Sequence, residues 1–185
     1  MLHMEQKNFK LEIVCELLKS RNHIREIAKR LGTNHMLILR KMRELSDENV
    51  VDYKEEGKNK TYFLKNSAEA KSCVFMAEHY ILMKTLGKYP ALRRIVENIQ
   101  KMEKIRLAVL FGSYAKGLAG FESDVDIFIE TTERGIKWEL EATDSKVSIK
   151  IGNYDKSSLL IKEIEKNHVI IKGIEAFYEK NRFFN

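Results

Sequence analysis

Residues 110–130 read LFGSYAKGLAGFESDVDIFIE: an apolar run, a Gly-Ser pair at Gly112 and Ser113, a loop of small residues, then Asp124 and Asp126 on either side of Val125 at the start of a second apolar run. Side chains in a strand alternate faces, so Asp124 and Asp126 are expected to point one way while Val125 and Ile127 bury the other way. Two carboxylates roughly 7 Å apart on one face can hold one or two Mg²⁺ ions. Such ions clamp the attacking and leaving oxygens of an in-line displacement at phosphorus. Upstream, Gly112 allows close backbone approach. Ser113 is placed to cap a helix beginning near Tyr114 and to turn its hydroxyl and the first free N–H groups toward a triphosphate. Lys116 adds a positive charge on that first turn. Two acids side by side on a strand face repel unless a cation lies near, which argues against an ordinary solvated surface. The layout is that of a metal-dependent phosphoryl or nucleotidyl transfer site.

The Gly-Ser pair followed after about ten residues by Asp-x-Asp within a strand resembles the nucleotidyltransferase superfamily related to DNA polymerase beta. The form Ser123-Asp124-Val125-Asp126 is similar to its small, minimal members, and the resemblance covers roughly residues 90–178. It implies catalytic and metal-binding roles for Asp124 and Asp126, with Mg²⁺ as cofactor. It implies contacts to a nucleoside triphosphate from Gly112, Ser113, Lys116 and Ser123. Members of the superfamily usually add a third carboxylate on a following strand. Aligned with that pattern, residues 149–155 (IKIGNYD) put Lys150 where the third acid is expected. A lysine there contributes positive charge and binds no metal. Two readings stand open. Glu139 or Glu141, on the strand-like stretch 137–142, reaches the site instead; or the domain binds nucleotide or a partner without turnover.

The chain of 185 residues, 44% hydrophobic and 32% charged, can bury one good-sized core or two small ones. No apolar run approaches the eighteen or so residues of a membrane span, and residues 1–10 lack a signal-peptide stretch, so a cytoplasmic protein with no membrane partner is expected. Cys15 and Cys73 stand far apart without neighbours at metal-ligand spacing, which speaks against zinc and against a disulfide framework. The net charge is +6, and residues 1–66 carry 14 Lys/Arg against 10 Asp/Glu. A basic excess favours a polyanionic partner.

That N-terminal third has its own pattern. Phe9, Leu11, Ile13, Val14, Leu17 and Leu18 form a helical stripe. A second helix is expected from Ile24 to Leu31, ending on Gly32 as a left-handed cap. Thr33-Asn34 then caps a third helix from His35 to Leu45, with Met36, Leu39, Met42 and Leu45 facing in. Residues 50–54 and 61–64 read as two strands joined by the lysine-rich loop 55–60. Three helices and a basic hairpin resemble the winged helix-turn-helix domains of prokaryotic regulators. That resemblance implies a third helix in the DNA major groove, with His35, Arg40, Lys41 and Arg43 facing DNA, and Lys58, Asn59 and Lys60 at the wing tip. It also implies dimers on palindromic sites. The bland alternative is a protein interface whose basic residues are merely solvated.

The expected fold is α+β: a winged helix-turn-helix domain (1–66), a connecting helix (67–89), and a small α/β nucleotidyltransferase domain with a mixed sheet (90–185). Helices are expected at 68–86, 91–103 and 157–167, and a last strand at 168–173 with Phe177 and Tyr178 sealing the sheet. His168 reads as a structural histidine. Two functions follow from the paired signals. One is a Mg²⁺-dependent enzyme moving a nucleoside monophosphate from a triphosphate to a hydroxyl. Its acceptor is a nucleic-acid end, a small molecule or a protein such as a toxin, the last as in minimal members that serve as antitoxins. The other is a transcriptional regulator whose transferase-like domain senses nucleotide or binds a partner.

Overall fold

The structure is a computed structural model and describes residues 7–57 and 59–184. The chain divides into two compact units, 1–77 and 78–185, and the division falls inside a 21-residue helix.

The first unit contains α1 (Phe9–Lys19), α2 (Ile24–Leu31), α3 (His35–Asp47), a hairpin of β1 (Val51–Glu56) and β2 (Asn59–Leu64), and the first part of α4 (Ala68–Lys88). The helix boundaries follow local chemistry. Asn8 and Asn34 accept from Leu11 N and Leu37 N in the first turns of α1 and α3, and α2 ends on Gly32 at φ 64°, where a left-handed residue closes the helix. Ile13, Val14 and Leu17 meet Ile27, Ile38, Met42 and Leu45 in the core. An isolated bridge between Asn22 and Tyr62 adds a third short edge to the hairpin. Three helices followed by a hairpin packed on the third make this a winged helix. Two expectations need correction. Met36 is 60% exposed, and Ile38 takes its place inside, because the buried face of α3 follows Ile38, Met42 and Leu45 at helical spacing. The hairpin is also tighter than expected: Glu55 pairs with Lys60 and Glu56 with Asn59, leaving Gly57 at φ 63° in the turn.

The second unit has a mixed four-stranded sheet in the order β5-β4-β3-β6, built from β3 (Leu107–Leu110), β4 (Val125–Glu130), β5 (Val147–Ile151) and β6 (Val169–Lys172). β3 runs antiparallel to β4 and β6, whereas β4 and β5 are parallel. The parallel pair requires a crossover, and α7 (Gly135–Glu141) supplies it. The stretch 137–142 is therefore helix as far as Glu141, with Ala142 as its cap, and not strand. Its Ile136 and Leu140 join Ile95, Val96 and Ile99 of α5 (Arg93–Lys101) against Ile127, Ile129 and Ile149 on one face of the sheet. A 3₁₀ turn, Pro90–Leu92, precedes α5, and α4 persists through Gly87 to Lys88 before the chain turns. Behind the other face, Phe177 of α9 (Ile174–Asn181) lies against Tyr154, His168 and Tyr178. α8 (Leu159–Lys166) is capped by the Ser158 side chain, which accepts from Ile161 N. Among the described residues, no helix is long and apolar enough to cross a membrane.

Between β6 and α9 the chain passes so close to β3 that a Cβ on Gly173, which sits at φ 81°, would lie 2.2 Å from the Arg106 carbonyl oxygen. Gly32 has a similar φ of 64° but open space around it. Gly173→Ala is therefore expected to destabilise by about 3 kcal/mol or more, strain and clash together, and Gly32→Ala by about 1 kcal/mol, strain alone. Urea denaturation of both variants checks the ranking.

Candidate functional site

The carboxylates stand where β4 begins. Asp124 immediately precedes the strand and is exposed; Asp126 is its second residue and half-buried. Val125 and Ile127 between and beyond them are buried, as the alternation requires. The Asp126 carbonyl accepts from Phe111 N at 3.0 Å, which ties the end of β3 to the start of β4.

From that junction the chain turns into a four-residue helix, α6 (Gly112–Ala115). Gly112 sits at φ 70°, and a Cβ there would fall 2.7 Å from Asp126 Oδ2. The glycine thus lets the backbone lie directly on the carboxylate. Ser113 is not a cap: α6 starts earlier than expected, with Phe111 at the cap position and no side-chain capping bond. Ser113 instead uses its carbonyl to accept from Leu118 N at 2.9 Å. Lys116 closes α6, and its ammonium lies 2.9 Å from Glu163 of α8. Ser123 folds the loop on itself: its hydroxyl accepts from Gly120 N at 2.9 Å and its N–H donates to Gly120 O at 3.2 Å. Lys88 donates to Gly117 O at 2.7 Å and anchors the same loop.

The strand register revises the expectation for the third acid. Asp126 pairs with Ser148, and Lys150 pairs with Phe128, one step farther along the same face. The position directly beside Asp126 on the neighbouring strand is therefore a serine, and Lys150 is an exposed cation beyond it. Glu139 and Glu141 lie on the crossover helix rather than a strand. Glu139 is exposed, and Glu141 accepts from Ile149 N at 2.9 Å, which ties it to β5. Among the described residues, no group of three or more His, Cys, Asp or Glu side chains stands together in a metal-binding arrangement. The Asp126 carboxyl is held above the usual carboxylate range, first by burial and then by the charge of Asp124; Glu163 adds to this, while Lys150 and a hydrogen bond with Ser148 oppose it.

In the first unit, Arg40 and Arg43 are exposed on α3 with Met36, and at about 100° per residue these three fall on one face. His35 is exposed on the first turn. Lys41 lies on a different flank, where its ammonium contacts Glu44 at 2.8 Å. Lys60 is not at the wing tip; it stands in β2 with its ammonium 3.8 Å from the centroid of the Tyr53 ring. Lys58 lies outside the described residues. A concave region of about 810 Å³ between α2, α3 and the hairpin is lined by Arg43 and Lys60 and also by His23, Arg25 and Lys29. Those last three escaped the sequence reading, although Arg25 and Lys29 at i,i+4 on a short helix were a usable signal.

The chain is thus a winged helix joined to a mixed-sheet domain with a Gly-Ser turn laid over an aspartate pair. Residues 93–176 match the family model described as Polymerase beta, Nucleotidyltransferase. No curated protein matches the chain. Among solved structures, the adhesin competence repressor AdcR from Streptococcus pyogenes is 17% identical over 50% of this chain and 69% of its own, with a TM-score of 0.40. HlyU from Vibrio cholerae is 22% identical over 40% of this chain and 77% of its own, with a TM-score of 0.35. A toxin-antitoxin structure with AMP-PNP is 23% identical over 49% of this chain and 76% of its own, with a TM-score of 0.36.

The raised Asp126 carboxyl has a fixed sign in stability. A carboxyl whose folded value lies above its unfolded value favours the fold at acid pH, and that contribution is lost as pH rises through the folded value. Asp126→Asn stays neutral throughout. It is expected to melt above the wild type near pH 7 and level with it near pH 3, below the unfolded aspartate range of about 3.9. Thermal denaturation of both proteins at the two pH values reads this directly.

Proposed function

We propose that the C-terminal domain transfers a nucleoside monophosphate from a metal-bound triphosphate to a hydroxyl acceptor, and that the winged helix binds DNA. The observation that carries the first part is the close approach of Gly112 to Asp126: it puts the backbone of the Gly-Ser turn against a carboxylate pair whose charge is only partly compensated. Two oxygen-bearing side chains on one face, mutually repelling, suit a hard divalent cation that fills its other positions with water and phosphate oxygens. Asp124 and Asp126 would hold Mg²⁺. When bound, the ion supplies charge stabilisation for the attacking and leaving oxygens. The rest falls to the chain: Gly112 and Ser113 leave room for phosphate, Lys116 offers an ammonium, and Ser123 shapes the loop leading into Asp124. The acceptor is a hydroxyl on a protein, a nucleic-acid end or a small molecule.

Ser148 favours a second reading, nucleotide binding without turnover in a transcriptional regulator, because the strand beside Asp126 lacks an acid. Incubation with each labelled nucleoside triphosphate and Mg²⁺ separates the two. Pyrophosphate release that falls by about a hundredfold or more in Asp124→Ala and Asp126→Ala supports the enzyme. Binding without release supports the regulator, and the absence of both sinks the site.

The DNA reading rests on Arg40 and Arg43, which share an exposed face of α3. Replacing both with alanine is expected to weaken DNA binding by about 1–3 kcal/mol for each arginine that reads a base. Lys41→Ala should do little, since Lys41 is paired with Glu44 on another flank. Fluorescence anisotropy with the DNA upstream of the gene and with random DNA, each at two salt concentrations, tests this. An equal weakening by Lys41→Ala would assign the binding to bulk charge.

A further inference from the structure

Lys116 has a partner that belongs to neither aspartate nor to the Gly-Ser turn. The lysine ends the short helix that begins with Gly112 on the Asp126 carboxylate, so its backbone stands one helical turn from that close approach. It is not offered to solvent alone: Glu163 Oε1 lies 2.9 Å away, with side chains 38% and 47% exposed.

Glu163 is not an arbitrary surface acid. Its helix is fixed at three points. Ser158 caps the first turn, the Tyr154 hydroxyl donates to Glu165 at 2.9 Å, and the His168 ring lies 2.9 Å from the Ile164 carbonyl oxygen. Ile161 and Ile164 are buried on either side of Glu163 in sequence, so the helix cannot rotate to withdraw it without exposing them. The negative charge of Glu163 is also felt at Asp126. The ammonium at the end of the Gly-Ser turn is therefore already paired with a fixed glutamate.

Resting on the nucleotidyltransferase reading, we infer that Glu163 restrains polyphosphate binding: it pairs with Lys116 in the nucleotide-free protein and competes with the triphosphate for its ammonium. Two effects act in the same direction. The ion pair must be given up or shared when phosphate arrives, and the carboxylate repels the incoming polyanion. Exposed pairs of this kind are weak, so the competition tunes affinity by several-fold and does not block binding. It must also fade as salt screens the charges.

The test uses the whole chain with inorganic tripolyphosphate and with ATP, CTP, GTP and UTP separately, by isothermal titration, without metal and with Mg²⁺. Glu163→Gln is expected to tighten binding about three- to tenfold at low salt, with the gain shrinking at high salt. Lys116→Ala should weaken binding, and Glu163→Gln made in that background should recover much less than it does alone, because the competition runs through the ammonium. A purely structural Glu163 would shift the unfolding midpoint and leave these affinities unmoved, which overturns the inference. So does a Glu163→Gln protein that binds phosphate as before without metal but loses the Mg²⁺-dependent gain, since that outcome makes Glu163 a metal ligand. Binding that Asp124→Ala and Asp126→Ala abolish while Glu163→Gln leaves it unchanged sinks this inference and keeps the site. A wild type that binds neither tripolyphosphate nor any nucleotide sinks both.

Discussion

An oxygen of the Asp126 carboxylate fills the space a side chain at Gly112 would need. The rest of the C-terminal site hangs from that close approach. It demands a residue without Cβ in the left-handed region, and it fixes the start of α6 against β4. The bond from Phe111 N to Asp126 O holds the same junction from the backbone side. Every group after it in the turn is positioned by these two constraints. Ser113 uses its carbonyl to hold Leu118, Lys116 reaches Glu163, and the loop returns through the Ser123–Gly120 pair to Asp124. A buried sheet supports the junction from below: Leu110, Ile127 and Ile149 stand on the same face across three strands. Loop chemistry at the strand ends of a rigid sheet is the usual way a fold holds charged groups still.

The first unit is organised differently. Its helices bury a narrow stripe, and what is left outside sets its surface chemistry. On α3 the stripe of Ile38, Met42 and Leu45 leaves Arg40 and Arg43 outward and turns Lys41 toward Glu44. Net charge alone treats the three cations alike; the helix phase separates them. The hairpin sorts its cations in the same way. Lys60 is withdrawn from the tip because strand pairing runs one residue past Glu55, and its ammonium settles over Tyr53.

Much of this was legible in the sequence because strong local signals agreed. The Asn34 cap, Gly32 after α2, alternating apolar residues around Asp126 and the Gly-Ser turn each specify local geometry by short-range physics. What was not legible depended on partners far away in the chain. The stretch 137–142 looks strand-like in isolation, yet a parallel β4–β5 pair needs a crossover between the two strands, and the helix buries Ile136 and Leu140 where periodicity over six residues is ambiguous. The place of the third acid required the pairing register, and a shift of two residues moved it from Lys150 to Ser148. Met36 stands one turn before Leu39, which made it look inward, whereas Ile38 stands one turn before Met42 and shares its buried face. The pairing of Lys116 with Glu163, 47 residues apart, carries no sequence signal at all.

The electrostatics of the site favour a cation. Asp124 and Asp126 stand within mutual repulsion, Glu163 adds to it, and the neighbouring strand offers a serine where a further acid would have deepened the charge. Lys150 and Ser148 relieve Asp126 only in part, for burial and the second aspartate still dominate. A fold with no use for the pair could remove the repulsion by a single Asp-to-Asn change at Asp126 without altering its packing volume. Keeping an acid there has a cost in the unliganded state that a bound cation would offset. With one carboxylate fewer than three, that cation would be bound less firmly by the protein and more through its phosphate partners. On the proposed reading metal and nucleotide would then enter as a unit, and the Lys116–Glu163 pair would be the place where affinity is adjusted without touching the aspartates.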